Sequence, residues 1–149
     1  MKTLITLFVG VLFFNCGKDI KVVTPTTEGI ARLPRIGNVE IILDFNAIGG
    51  KSVSVSNGND RAIGVYITKD DEPSIIVFSD GYVGKRGSST HRGTNFEYGW
   101  ELRVTVVIYR NLAGAIEAFL DALGADFLDH LQDIWIEERY EQVVVVKRS

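Results

Sequence analysis

Two serines and a histidine lie close together in the chain and are the first residues that could do chemistry. Ser88, Ser89 and His91 are residue types used in nucleophilic catalysis, where a histidine removes the proton of a serine hydroxyl. That chemistry also needs an acid that orients the histidine, and neighbours within one loop do not by themselves form such a triad. We therefore predict that the protein is not an enzyme and has no catalytic residue.

Two further patterns could bind an ion. His91 and His130 are the two histidines of the chain, and neither has a second histidine three or four residues away, as a zinc site would. Residues 81–87 are rich in glycine and contain Lys85, but no serine or threonine follows that lysine directly, so the phosphate-binding loop pattern is not met. The sequence predicts no metal site and no cofactor.

Residues 80–98 are the strongest candidate for a contact surface. The segment is rich in glycine and carries several basic side chains. Long loops of this kind are often functional, so we predict either a mobile loop or the tip of a wide hairpin. It would contact a protein partner or an anionic surface. The residues that would make this contact are Tyr82, Lys85, Arg86, His91 and Arg92.

The N-terminal segment, MKTLITLFVGVLFFNC, predicts where the protein is sent. Lys2 precedes a mostly apolar run over residues 4–14, and Asn15, Cys16 and Gly17 follow. A short cationic start, an apolar core and a small-residue end are typical of a secretory signal peptide. The run is shorter than the roughly 20 apolar residues of a membrane span.

The last five residues of this segment, LFFNC, resemble a relaxed lipobox of bacterial lipoproteins, with Phe13 and Asn15 where the family usually has leucine and a small residue. The resemblance implies that residues 1–15 are removed and that Cys16 carries the lipid, such as palmitate, that anchors the protein in the bacterial cell envelope. Gly17, rather than an acidic residue, follows the cysteine, which favours the outer membrane over the inner one. The alternative is that the apolar run is a buried strand or helix and that Cys16 is a core residue.

Composition excludes some classes of function. The formal net charge of −3 argues against non-specific nucleic-acid binding, which depends on Lys and Arg neutralising phosphates. The single cysteine excludes an intrachain disulfide. The length of 149 residues fits one domain.

The periodicity after Cys16 predicts the elements that position these residues. Residues 16–37 contain two prolines and no sustained period, which predicts a lipid-anchored tether or an N-terminal arm. We expect residues 38–149 to form a single α+β domain. Alternating or continuous apolar residues predict strands over residues 38–45, 52–56, 62–68, 74–79, 100–110 and 135–147.

Three of these strands carry a more specific prediction. The Asn57-Gly58 pair lies between two strands and predicts a hairpin closed by a tight turn. This turn also explains the oxygen-bearing side chains around it without a calcium ion. The apolar run at 74–79 predicts a strand buried on both faces, and the alternation over 100–110 predicts the centre of an antiparallel sheet.

A helix is predicted after the last of these strands. Apolar residues recur every three or four positions from Leu112 to Ile134, which predicts an amphipathic helix, or a helix pair broken near Gly124. The predicted fold is therefore α+β. It has one mostly antiparallel sheet of about five to six strands, the helix packed on one face, and a C-terminal strand.

Two functions remain open at this point. The leader favours a small envelope lipoprotein with a non-catalytic binding or structural role. The order and length of the predicted elements after Cys16 also resemble the small α+β tail-terminator proteins of tailed phages. That resemblance implies an alternative, a virion assembly protein that forms an oligomeric ring.

Overall fold

The computed structural model describes residues 19–123 and 134–148. In this part of the chain, nine strands and one helix form. The strands are β1 (Ile20–Val23), β2 (Ile30–Arg32), β3 (Val39–Asp44), β4 (Ser52–Asn57), β5 (Ile63–Lys69), β6 (Glu72–Val83), β7 (Ser88–Arg92), β8 (Glu101–Tyr109) and β9 (Ile136–Val146), and helix α1 is Leu112–Ala122.

The strands form two sheets. One has the order β1-β9-β8-β5-β6 and the other β2-β3-β4-β7. All neighbours are antiparallel except β1 and β9, which run parallel with Ile20 opposite Val143. The prediction that the strand within residues 100–110 lies at the centre of a sheet is confirmed, because β8 is the middle strand of five.

The core lies between the two sheets and follows the alternation of apolar residues. Every second residue of β3, from Val39 to Leu43, is buried, and so are both valines of β4. The facing sheet contributes alternate residues of β5 and β8 to the same apolar cluster. In β3, β4 and β8, the apolar residues that alternate along the sequence are buried. The side chains concerned include Val39, Ile41, Leu43, Val53, Val55, Ile63, Val65, Ile67, Leu102, Val104 and Val106.

The predicted α+β fold class is wrong, because the described chain is a two-sheet β-sandwich with one short helix. Helix α1 does not pack on a sheet face: of its side chains that the structure describes, only Ala115 is buried. Alternation shows that a strand has one buried face, but it does not show whether the cover is a helix or a second sheet. Residues 124–133, the second half of the predicted helix, lie outside the described residues.

The predicted hairpin at Asn57-Gly58 is also wrong, because β4 and β5 lie in different sheets. Asn57 is buried, and its amide nitrogen donates hydrogen bonds to the carbonyl oxygens of Arg61 at 2.7 Å and Gly84 at 2.9 Å. The Gly58 N–H donates to the Asn38 carbonyl at 3.0 Å. The segment is therefore a crossing between sheets, fixed by contacts with residues distant in sequence.

The N-terminal segment is part of the sandwich from Ile20 onward. Strand β1 extends one sheet, and β2 pairs with β3, with Ile30 opposite Asp44. The segment for which a tether or an N-terminal arm was predicted therefore contributes β1 and β2 to the two sheets. Cys16 and the predicted signal peptide lie outside the described residues.

Strand β6 contains the run predicted to be buried on both faces, and this prediction is wrong. The strand lies at the edge of its sheet and is twelve residues long. Val77 and Phe78 are buried, whereas Ile76 is 61% exposed. Pro73 near the start of β6 fits an edge position, because proline has no N–H to donate to a neighbouring strand.

Candidate contact surfaces

The predicted contact segment, residues 80–98, is not one long loop. Its first residues complete β6, and Ser88–Arg92 forms β7. Only residues 84–87 connect these strands, which belong to different sheets. The connection therefore crosses from one layer of the sandwich to the other, and the candidate contact residues are held on strand ends and a short turn.

Three of the five predicted contact residues lie at this crossing. Tyr82, near the end of β6, is 71% exposed. Lys85 and Arg86 occupy the turn, where Arg86 has a φ of 56°, a left-handed conformation that non-glycine residues seldom adopt. The Arg86 guanidinium pairs with Asp60 at 2.9 Å, and its backbone N–H donates to the Asn59 carbonyl at 3.1 Å. The cationic side chain is thus partly neutralised and tied to the β4–β5 crossing.

The other two predicted contact residues, His91 and Arg92, lie at the far end of β7. Arg92 is paired opposite Ser52, whereas Ser88 at the near end is paired opposite Ser56. The four-residue separation corresponds to about 13 Å along a strand. Adjacent side chains on a strand point to opposite faces, so His91 and Arg92 diverge. The five residues do not form a single patch.

Asp80 is the centre of a polar cluster that the sequence did not single out. Its Oδ2 accepts a hydrogen bond of 2.6 Å from Ser89 Oγ, and its Oδ1 accepts one of 3.1 Å from the Tyr82 N–H. His91 Nε2 lies 3.9 Å from Oδ2, and its ring packs against Phe78 with centroids 4.3 Å apart. The Ser89 bond, and to a lesser degree the Tyr82 N–H and His91, hold the pKa of Asp80 below its usual value against the opposing effect of burial.

This cluster joins the sheets and does not have the geometry of a catalytic triad. In a triad, the histidine stands between the serine and the acid. Here the Ser89 hydroxyl donates directly to the Asp80 carboxylate, so the proton of the nucleophile is not directed at His91. The structure brings Ser89 and His91 to the same carboxylate, a convergence that the sequence did not predict. The sequence could not identify their partner Asp80, because β6 and β7 belong to different sheets and come together only when the chain folds.

The second candidate surface is the exposed face of α1. Asn111 caps the helix N-terminus, where its side chain accepts a hydrogen bond of 2.8 Å from the Gly114 N–H. The exposed fractions of the large apolar side chains lie between 40 and 71%. These side chains are Leu112, Ile116, Phe119, Leu120 and Leu123. The amphipathic pattern was predicted, but the helix does not bury it against the sandwich.

A groove separates α1 from the end of the sandwich. It has a volume of about 610 Å³. The helix contributes Ile116 and Leu120 to one wall, and Arg61, Arg110 and Glu137 line the other. Arg61 and Glu137 form an ion pair with each other. The groove is therefore charged on its sandwich side and mixed on its helix side, where Glu117 lies beside the apolar residues.

Three other properties bear on function. Across residues 19–123 and 134–148, no group of three or more His, Cys, Asp and Glu side chains could hold a metal ion. The single described helix is not long and apolar enough to cross a bilayer. Comparisons of the chain with models of protein families, with curated proteins and with solved structures find no match.

Proposed function

We propose that the protein is a small exported lipoprotein of the bacterial cell envelope with a non-catalytic binding or structural role. The observation that carries the proposal is the order of residues in the leader. Lys2 precedes an apolar run, and Cys16 and Gly17 follow it. Acylation of Cys16 at more than one position would hold the protein stably, because a single acyl chain binds a membrane only marginally.

The position of β1 specifies how such an anchor would hold the domain. Ile20 is the first residue of β1 and is only four residues beyond Cys16. Four residues of extended chain span at most about 14 Å. A lipid on Cys16 would therefore keep the sandwich against the lipid head groups, in the outer membrane by preference, since Gly17 follows the cysteine.

The polar cluster around Asp80 supports a binding or structural role. Its serine hydroxyl is committed to a carboxylate, and that bond connects the two sheets. The exposed apolar face of α1 is the kind of surface that marks contact with another molecule. Both features are typical of a protein that presents a rigid scaffold to a partner.

The intact mass of the protein extracted from its native membrane tests this proposal. We expect a chain that begins at Cys16 and carries acyl chains. The Cys16→Ser variant should lack the acyl mass, and Asn15→Gly, which restores a small residue before the cysteine, should keep it. An unmodified chain that begins at Met1 would overturn the proposal.

The same measurement addresses the phage alternative. The resemblance to tail-terminator proteins depended on the order and length of the predicted α+β elements, and the described chain is a two-sheet sandwich with one short helix. No observation on the structure favours that function over the envelope protein. An unmodified chain recovered in large rings would favour it.

A further inference from the structure

The Asn57-Gly58 pair carries a chemical reactivity that its role in the β4–β5 crossing does not use. Of the seven asparagines in the chain, Asn57 is the one followed by glycine. The backbone nitrogen after an asparagine can attack the side-chain carbonyl carbon, and glycine hinders this attack least because it has no Cβ. The sequence therefore contains a site of spontaneous deamidation, a modification that needs no enzyme.

The reaction proceeds in two steps, with water as the co-reactant. In the first, the Gly58 nitrogen loses its proton and bonds to the side-chain carbonyl carbon of Asn57, while the bond from that carbon to the amide nitrogen breaks. Ammonia leaves, and a cyclic succinimide remains. In the second, one water molecule opens either ring carbonyl. The product is aspartate, or isoaspartate, in which the backbone runs through the former side chain.

In the folded protein, hydrogen bonds occupy both reacting groups. The Gly58 N–H donates to the Asn38 carbonyl at 3.0 Å, so the attacking nitrogen holds its proton in a bond to another acceptor. The Asn57 side chain is 3% exposed, and its nitrogen, the leaving group, faces three backbone carbonyl oxygens. Its Oδ1 accepts from the Asn59 N–H at 2.9 Å and from the Asn59 side-chain amide at 3.1 Å. The side chain cannot rotate without breaking these bonds, and the reaction needs a close and defined approach of the two atoms.

We propose that Asn57 is a modification site that the contacts of the folded β4–β5 crossing keep closed and that unfolding opens. In the unfolded chain, water replaces these contacts and the side chain regains its rotations, so the succinimide can form. In the folded protein, the reaction is limited to the small fraction of chains in which the crossing is open. Time spent unfolded therefore converts Asn57 to a residue that the sequence does not encode.

The two products differ in how far they prevent refolding. Aspartate keeps the shape of the side chain, so this product should refold with reduced stability. Isoaspartate adds a carbon atom to the backbone where Asn57 lies opposite Val39 and its N–H donates to the Gly87 carbonyl at 2.8 Å. A chain with isoaspartate should therefore fail to rebuild the crossing. Chemical modification of this kind removes the unfolded state from the folding equilibrium and makes unfolding irreversible.

Peptide mass spectrometry of the full chain carrying Cys16→Ser tests the proposal, because this background excludes acylation and intermolecular disulfides during a long incubation. One sample is held folded at pH 8, and another is held unfolded in guanidinium chloride at the same pH. We expect Asn57 to react first among the asparagines of the unfolded chain, and at least about a hundredfold more slowly in the folded protein. Equal rates in the two states, or faster reaction at another asparagine of the unfolded chain, would overturn the proposal.

Asn59→Ala tests whether the contacts of the crossing close the site. It removes the side-chain amide that donates to Asn57 Oδ1 and to the Gly37 carbonyl, and should raise the folded-state rate at least about fivefold. Asn46→Ala is the matched control, because it removes an exposed amide that donates to the Glu28 carbonyl at 3.0 Å, at the opposite end of β4. It should leave the rate within about twofold. No rise in Asn59→Ala, or an equal rise in both variants, would overturn the role of the crossing.

Dilution from guanidinium chloride measures the consequence for folding. The longer the chain has been unfolded at pH 8, the less of the native circular dichroism should return, and the chains that fail to refold should carry isoaspartate at position 57. A sample unfolded at pH 5 is the control and should refold almost completely, because the Gly58 nitrogen loses its proton less readily there. Equal losses at the two pH values, or isoaspartate in the refolded chains, would overturn the proposal. Neither measurement involves Cys16, so failure here is distinguishable from failure of the anchor proposal.

Discussion

Ser89 Oγ donates a hydrogen bond of 2.6 Å to Asp80 Oδ2, and this bond joins the two sheets at their edges. Asp80 belongs to β6, the last strand of the five-stranded sheet, and Ser89 to β7, the last strand of the four-stranded sheet. The backbones of these strands do not pair with each other, so side chains link the layers on this side. The carboxylate is well suited to this role, because it also accepts the Tyr82 N–H at 3.1 Å.

We expect Asp80→Asn to lower the free energy of unfolding at pH 7 by about 1 kcal/mol, since a hydrogen bond to a partly exposed carboxylate is weakened. The pKa of Asp80 lies below its usual value of 3.8. Its stabilising effect is therefore complete above about pH 4 and is lost as the pH falls through the lowered pKa. The difference between Asp80→Asn and the wild type should shrink on going from pH 7 to pH 2.

Urea unfolding at several pH values measures this difference. Asp71→Asn is the matched control, because the side chain of Asp71 is 69% exposed and its contact with the Lys69 amine is long, at 3.7 Å. Its effect should stay within about 0.5 kcal/mol. A pH-independent difference for Asp80→Asn would show that the carboxylate charge does not contribute to the link.

The hydroxyl of Tyr109 links β8 to β6 across β5, where Gly64 leaves room for it. Tyr109 Oη donates a hydrogen bond of 2.6 Å to the Gly81 carbonyl. Burial, and secondarily Tyr66, raise the pKa of Tyr109 to about 12. Because the folded state holds this proton more tightly than the unfolded state, stability should fall as the pH rises above about 10. Tyr109→Phe should remove this contribution to the loss of stability at alkaline pH. In the ultraviolet absorbance of the five tyrosines, it should also remove the component that titrates near pH 12.

Gly64 is expected to be essential for this arrangement for reasons of space. A Cβ atom on Gly64 would lie 2.8 Å from Tyr109 Oη and 3.0 Å from Val107 Cγ2. Gly64→Ala should therefore destabilise the fold by about 1–3 kcal/mol, and by less in the Tyr109→Phe background, where the nearest atom is gone. Thermal or urea unfolding of the four proteins of this cycle measures the coupling.

Gly84→Ala provides the control for the glycine substitution, because a Cβ atom there would have no heavy atom within 4 Å. Its effect should be small. If Gly64→Ala cost the same with and without the Tyr109 hydroxyl, the crowding would have to be assigned to Val107 and to the Tyr66 hydroxyl, which lies 3.2 Å from the Cβ position.

The sequence predicted well those elements that bury one apolar face. Alternation placed Leu102, Val104 and Val106 in the core, and the return of β-type residues after Trp135 corresponds to β9. The predicted start of the helix at Leu112 also agrees with α1, which Asn111 caps. Such features depend on residues close in sequence or on which side chains face water, and the order of polar and apolar residues indicates both.

The features that failed depend on partners distant in sequence. Asn57-Gly58 has the composition of a hairpin turn, yet the Asn57 side-chain amide donates to the Gly84 carbonyl and the Gly58 N–H donates to the Asn38 carbonyl. Helix α1 has the period of a packed helix, yet its large apolar side chains are not buried against the sandwich, because period alone does not say what a helix packs against. For the same reason the site around Asp80 could not be assembled from Ser89 and His91, since the acid comes from another sheet.

Asn57 offers the most direct test of the crossing between sheets. The side chain is 3% exposed, and its nitrogen faces three carbonyl oxygens, those of Arg61, Val83 and Gly84, at 2.7, 3.3 and 2.9 Å. Asn57→Asp keeps the shape but replaces the donor with a carboxylate oxygen. At pH 7 it should destabilise the fold by about 3 kcal/mol or more, because one oxygen of the buried carboxylate would face three carbonyl oxygens and only the other oxygen would keep its donors on Asn59.

The pH dependence of this variant has a definite sign. Burial and the three facing carbonyl oxygens raise the folded-state pKa of this carboxyl above the roughly 3.9 of an unfolded aspartate, against the opposing effect of the Asn59 donors. Stability therefore falls as the pH rises through this range. At pH 3 the protonated acid can again donate one hydrogen bond, and the loss relative to wild type should be smaller than at pH 7. Asn46→Asp makes the same chemical change at an exposed amide that donates to the Glu28 carbonyl at 3.0 Å, and water can replace that bond. Its cost should stay below about 1 kcal/mol at both pH values. Urea unfolding of the two variants at pH 3 and pH 7 measures these losses of stability. The comparison distinguishes a buried amide that holds two sheets together from a turn residue that any polar side chain could replace. Equal losses for the two variants would contradict the role assigned to Asn57.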